Sequence, residues 1–104
     1  MSRPGDAPPP EARDHMRVVD KLLAVPGMTE PSFRQRLYGF LPAPVQQQLP
    51  RSTIARTELV GVTETLWQYR HLGTWAALGD GLTSLAPDHP ATGAVLAVLA
   101  DLQR

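Results

Sequence analysis

The chain contains no cysteine. That excludes a disulfide framework and a thiolate metal site, and it is compatible with a reducing cytoplasm. The histidines are few and scattered. His15, His71 and His89 fall near helix starts or ends, never at i, i+4 on one face, so a metal centre is not expected and a solvated or capping role is. No apolar run approaches the roughly 20 residues that span a bilayer. The start of the chain is proline-rich rather than apolar, which is not the pattern of a secretory signal. There is no glycine-rich phosphate loop, and Ser32, Ser52 and Ser84 have no glycine elbow around them. No set of nucleophile, base and acid can be assembled, so neither an enzyme nor a cofactor nor a small-molecule substrate is expected.

What the sequence does hold is apolar residues at helical spacing, cut by proline and glycine. Hydrophobic residues make up 42% of the 104 and charged residues 19%, the balance of a folded chain with one core. Residues 1–13, with Pro4, Pro8, Pro9 and Pro10, read as a flexible leader of polyproline II character, ahead of a helical domain over residues 14–104.

Within that domain the breaks leave about six short helices. The first starts near Asp14 as N-cap and buries Val18, Val19, Leu22, Leu23 and Val25. The second follows Thr29–Ser32, with either a Ser32/Gln35 capping box or Thr29 as cap and Pro31 in the first turn. Its core residues are Phe33, Leu37, Phe40 and Leu41, at i, i+4, i+7 and i+8. A single turn between Pro42 and Pro50 points Val45 and Leu49 inward. The fourth helix carries Leu59, Val62, Leu66 and Tyr69 on one face, flanked by Val60 and Trp67, and should be central. The fifth holds Trp75, Leu78, Leu82 and Leu85. Its Gly79 and Gly81 imply close helix approach or a kink. The sixth starts at Asp88 with Pro90 in its first turn and buries Val95, Val98, Leu99 and Leu102. Trp67 and Trp75 read as core rather than as ligand-stacking platforms.

Net charge is zero, but the sign is uneven. Residues 1–56 carry +3 and residues 57–104 carry −3. A dipolar chain is poorly suited to nucleic acid, which favours a concentrated basic face. The helix over 58–70 presents Glu58 and Glu64 with only Arg70, the wrong sign for phosphate contact. Such a surface suits self-association or docking to a similar domain. The basic candidates are Arg34, Arg36, Arg51 and Arg56. The acidic ones are Glu58, Glu64, Asp80 and Asp88, for which a plain solvated surface is the alternative.

These residues also resemble a family. "VVDKLLAVPGM" at 18–28, Phe33, Arg34 and Leu37, "FLP" at 40–42, "LPRS" at 49–52, "ELVGVTETLWQY" at 58–69 and the tail with Leu78, Leu82 and Leu85 are similar to the bacterial effector-associated domains of the second type. One departure is the connection after the fourth helix. A Pro-Gly-Gly-type break belongs there, and this chain has Tyr69-Arg70-His71-Leu72-Gly73. The resemblance implies a six-helix, death-domain-like adaptor that stands beside peptidases, nucleases or NTPases of bacterial defence and signalling systems. It implies recruitment of an effector by pairing like with like, in the cytoplasm, with no established binding residues to carry over. The rival expectation is a regulatory helical domain that binds an unrelated partner such as a peptidase or NTPase.

Overall fold

Proline at the first helical position sets the start of three of the helices. A fixed φ and a missing N–H cost nothing there, because the first amides of a helix have no partner within it. The computed structural model describes residues 10–103, with side chains from Arg13 onward. Among the described residues the chain is all helical: α1 (Pro10–Leu23), α2 (Pro31–Tyr38), α3 (Ala43–Gln46), α4 (Ala55–Gln68), α5 (Thr74–Leu85) and α6 (Pro90–Leu102), with one 3₁₀ turn at Arg70–Leu72.

The expected leader lies outside the described residues over 1–9. Pro10–Arg13 form the first turn of α1, so the helix starts at Pro10 and not near Asp14. Proline in the first turn followed by Glu11 and Ala12, both good helix formers, carries the helix back past Asp14.

Most of the expected core is in place. Val18, Val19, Leu22, Val25, Phe33, Leu37, Leu41, Val45, Leu59, Val62, Leu66, Trp75, Leu78, Leu82, Val95, Val98 and Leu99 are buried, joined by Met28 and Tyr38. Leu23, Leu49, Tyr69, Leu85 and Leu102 are half-buried and pack around that cluster. Phe40 is the exception, at 41% exposed. Helix α2 stops at Tyr38, so the i+7 phase that placed Phe40 inside no longer applies beyond Gly39.

Neither expected cap of α2 forms. Glu30 occupies the N-cap position without a side-chain bond, and Pro31 opens the helix. Helix α6 starts at Pro90 rather than at Asp88. His89 caps it, its Nδ1 accepting from the Ala91 amide at 3.0 Å, so the capping role expected of a histidine is filled there.

Helix α1 packs on α4 and α6, while α5 bridges α6 and α2. The centre is therefore shared between α1 and α4 rather than held by α4 alone. Both glycines of α5 serve close approach. A Cβ on Gly81 would stand 2.8 Å from Leu37 Cδ1 of α2, and one on Gly79 would stand 3.1 Å from Leu96 Cδ2 of α6. The departure at residues 69–73 is resolved by the 3₁₀ turn ending on Gly73 at φ 75°, a left-handed conformation that glycine adopts without strain. Thr74 then donates its hydroxyl to the Leu66 carbonyl at 2.7 Å, tying the start of α5 to α4.

Candidate docking surface

Arg34 and Tyr38 stand four residues apart on α2 and therefore share a face. Both point at α4. Arg34 Nε donates to Glu58 Oε2 at 2.5 Å, and the Tyr38 hydroxyl donates to the same oxygen at 2.7 Å. Glu58 Oε1 accepts from the Ser52 amide at 3.1 Å, and Arg34 Nη1 donates to the Met28 carbonyl at 3.0 Å. Arg34 is 1% exposed and Glu58 4%. A charge so far from water persists only when paired and hydrogen-bonded, and this pair is both. Burial pushes the Glu58 carboxyl up, but bonds from Tyr38, Arg34 and Ser52 and the Arg34 charge together hold it below its ordinary value. Burial and the bond to Glu58 raise the Tyr38 phenol well above its own.

Arg34 and Glu58 thus leave the set of docking residues expected from the sequence. Both side chains are spent inside the molecule. Arg56 is committed as well, though at the surface. Its Nη2 lies 2.8 Å from Asp20 Oδ1, with both side chains about half exposed. Arg17 is shared between Asp14 and Asp101 at 3.6 and 3.7 Å. What remains exposed and outside any ion pair, among the described residues, includes Arg36 and Arg51 near α2, and Glu64, Asp80 and Asp88 on α4, α5 and the turn before α6. Lys21 on α1 and Glu30 ahead of α2 are unpaired in the same sense.

Arg51 lies in a cleft. One wall is the Pro31–Gln35 side of α2, and the other is the irregular segment Leu49–Thr53 that runs into α4. The outer part is an open depression of about 360 Å³ bordered by Pro31, Gln35, Arg51, Ser52 and Thr53, with Arg34 and Glu58 beneath. A narrower continuation reaches Tyr38, Gln46 and Leu49. The outer wall is fixed from behind: a Cβ on Gly61 of α4 would lie 2.5 Å from Pro50 Cγ, so only glycine lets the segment sit this close. The Ser52 Oγ accepts from the Ile54 amide at 3.1 Å, which leaves its proton free to donate into the cleft. Ile54, the residue before α4, is 63% exposed. Because Glu58 neutralises Arg34, the charge offered to a visitor is that of Arg51. The remaining basic candidate, Arg36, lies outside on the same helix, with its guanidinium carbon 6.0 Å from the Phe33 ring centroid.

The acidic candidates are not gathered in one place. Asp80 borders a second groove between α5 and α6, lined by Ala76, Gly79, Thr83 and Ala100. Glu64 sits on the outer face of α4, and Asp88 on the corner Pro87–Pro90, where all residues are exposed. Reading the sequence missed Tyr38, the Ser52 amide and the Met28 carbonyl as partners of the buried pair. The spacing of Arg34 with Tyr38, and of Glu58 with Val62 and Leu66 at i, i+4 and i+8, was the available signal.

The described residues include no group of histidine, aspartate or glutamate side chains arranged to hold a metal ion. No helix among them is long and apolar enough to cross a membrane. The profile of effector-associated domain 2 matches residues 19–100, most of the chain. The chain belongs to the effector-associated domain 2 family. That match runs from Val19 in α1 to Ala100 in α6, so the buried pair and the cleft both lie inside the effector-associated domain. No curated protein and no solved structure matches the chain.

Proposed function

We propose that this effector-associated domain is a non-catalytic, death-fold-like adaptor that recruits an effector by pairing with a like domain, or with itself, in a cytoplasmic bacterial defence or signalling system. The observation that carries this reading is the distribution of charge left over after internal pairing. Arg34, Arg56 and Arg17 are matched within the chain. Arg36 and Arg51 remain exposed on and near α2, and Asp80, Asp88 and Glu64 remain exposed on other elements. Opposite patches on separate surfaces of one domain are complementary to those of a second copy, and such complementarity sets specificity and encounter rate. Exposed pairs contribute only about 0–1 kcal/mol each, so the association is weak and salt-sensitive.

The test replaces Arg36 and Arg51 with glutamate. Both are exposed, so circular dichroism and thermal melts stay near wild type. Light scattering or sedimentation at low and high salt should show association in the wild type, and its loss in the double reversal and at high salt. Undiminished association of the double reversal would move the interface elsewhere. A monomer at every concentration that instead captures a peptidase or NTPase would replace the like-with-like reading.

A further inference from the structure

The depression over Arg34 is lined by hydrogen-bond donors that the described residues leave without acceptors. Arg34 is 1% exposed and forms part of the floor. Its Nε and Nη1 are committed to Glu58 and Met28, but Nη2 makes no hydrogen bond among the described residues. At the rim, the Arg51 guanidinium, the Thr53 hydroxyl and the Gln35 amide nitrogen donate to none of them either. The Ser52 hydroxyl accepts from the Ile54 amide and keeps its proton to give. Acceptors are scarce. Glu58 is the carboxylate among the lining residues, and both its oxygens are already taken.

Charge points the same way. Glu58 offsets Arg34, so Arg51 leaves the depression net positive. Thr53 and Glu58 bracket the start of α4, and the positive end of a helix adds attraction of the same sign. A fitting ligand brings negative charge, several acceptor atoms and no competing protons. An oxyanion has all three. Because the depression is open, such a group can reach the floor while the molecule that bears it stays outside.

We propose that this depression is an oxyanion site, in which a phosphate or carboxylate group lies between the Arg51 guanidinium and the unused donors of Arg34 and Ser52. The arginine fork matches two oxygens of either group. Arg34 supplies direction rather than charge. Held at Nε and Nη1, it presents Nη2 with little conformational freedom to lose on binding. The site does not depend on like-with-like pairing, since a single copy carries all of its donors.

The experiment titrates the 104-residue chain with sodium phosphate, and separately with sodium acetate, in chloride buffer at constant ionic strength, so that screening does not change. The readout is the backbone amide shift of Ser52 and Thr53 in heteronuclear NMR spectra. Wild type should show saturable shifts. Arg51→Gln should weaken phosphate binding by about tenfold or more, as expected when a charged hydrogen-bond partner is lost, and Ser52→Ala by about two- to tenfold. Arg36→Gln removes an exposed arginine outside the depression and should bind as wild type. Both Arg51→Gln and Ser52→Ala keep the Ser52 amide on Glu58, so their melts should stay cooperative, and a binding loss is then told from a folding loss. Saturation by phosphate at lower concentration than by acetate supports the site and assigns it to a phosphoryl group. Saturation by acetate at an equal or lower concentration supports it and assigns it to a carboxylate. Linear drift without saturation in both salts overturns the site. So does binding that Arg51→Gln leaves unchanged, or that Arg36→Gln weakens as much.

Discussion

Arg34 and Tyr38, one helical turn apart on α2, donate to the same oxygen of Glu58 on α4. Two donors on one oxygen, with the Ser52 amide on the other, satisfy a buried carboxylate that neither residue could satisfy alone. The pairing turns a helix of modest length into one locked in rotation against α4.

Arg34→Glu should therefore unfold the domain, whereas Arg36→Glu should not. Breaking a buried pair costs about 3–5 kcal/mol, and the reversal adds a second carboxylate beside Glu58. Thermal melts followed by circular dichroism separate the two. A cooperative, wild-type-like melt of Arg34→Glu would show that the pair does not hold α2.

Tyr38→Phe keeps the ring and removes one donor to the carboxylate. A hydrogen bond to a charged group contributes about 1.5–3 kcal/mol, so the urea midpoint should fall by a corresponding amount while Glu58 keeps two donors. An unchanged midpoint would mean that the hydroxyl is as well solvated in the unfolded chain as it is bonded here.

The pair also sets a pH dependence. Glu58 is held below its ordinary value of 4.5 in the folded chain, so its contribution is complete above that pH and is lost as pH falls through the lower folded value. Tyr38 is raised above 10.0, so its contribution is complete below that pH and is lost as pH rises beyond it. Melts should therefore weaken at both extremes. In Glu58→Gln the acid limb should flatten, and an acid limb as steep as wild type would assign it to other carboxylates.

Leu66→Asp should leave no folded protein. Leu66 is fully buried, and an unpaired buried carboxylate costs several kcal/mol against a domain stability of about 5–15 kcal/mol. A normal melt of this variant would remove α4 from the core.

Thr63 gives the opposite sign. Its hydroxyl is buried without a hydrogen-bond partner among the described residues. Thr63→Val keeps the shape and removes an unsatisfied group worth about 1–3 kcal/mol. The melting temperature should rise, by about 4–8 °C for each kcal/mol in a domain of this size. A lower melting temperature would indicate that the hydroxyl is satisfied by solvent.

Helix order and most of the core were legible because proline, glycine and apolar spacing report the same boundaries. Phe40 failed because periodicity says nothing about where a helix stops, and α2 stops at Tyr38. Arg34 and Glu58 failed for a different reason. A charged residue at an inward position reads as surface unless its counter-charge is known to be opposite, and that partner lies 24 residues away in sequence. The cleft was not legible at all. It depends on Pro50 resting on Gly61, a contact between a loop and a helix that no local pattern announces.

The bond from the Ser52 amide to Glu58 has an evolutionary consequence. One wall of the cleft and the buried pair share a carboxylate through a backbone amide, so the main chain at Ser52 cannot shift without disturbing what holds α2 to α4, while the side chains of Arg51 and Thr53 can change. Changes of partner preference should therefore accumulate at Gln35, Arg51 and Thr53, while the backbone at Ser52 stays as it is. Sets of these domains coexisting in one cell would diverge along the rim of the cleft and not in its floor.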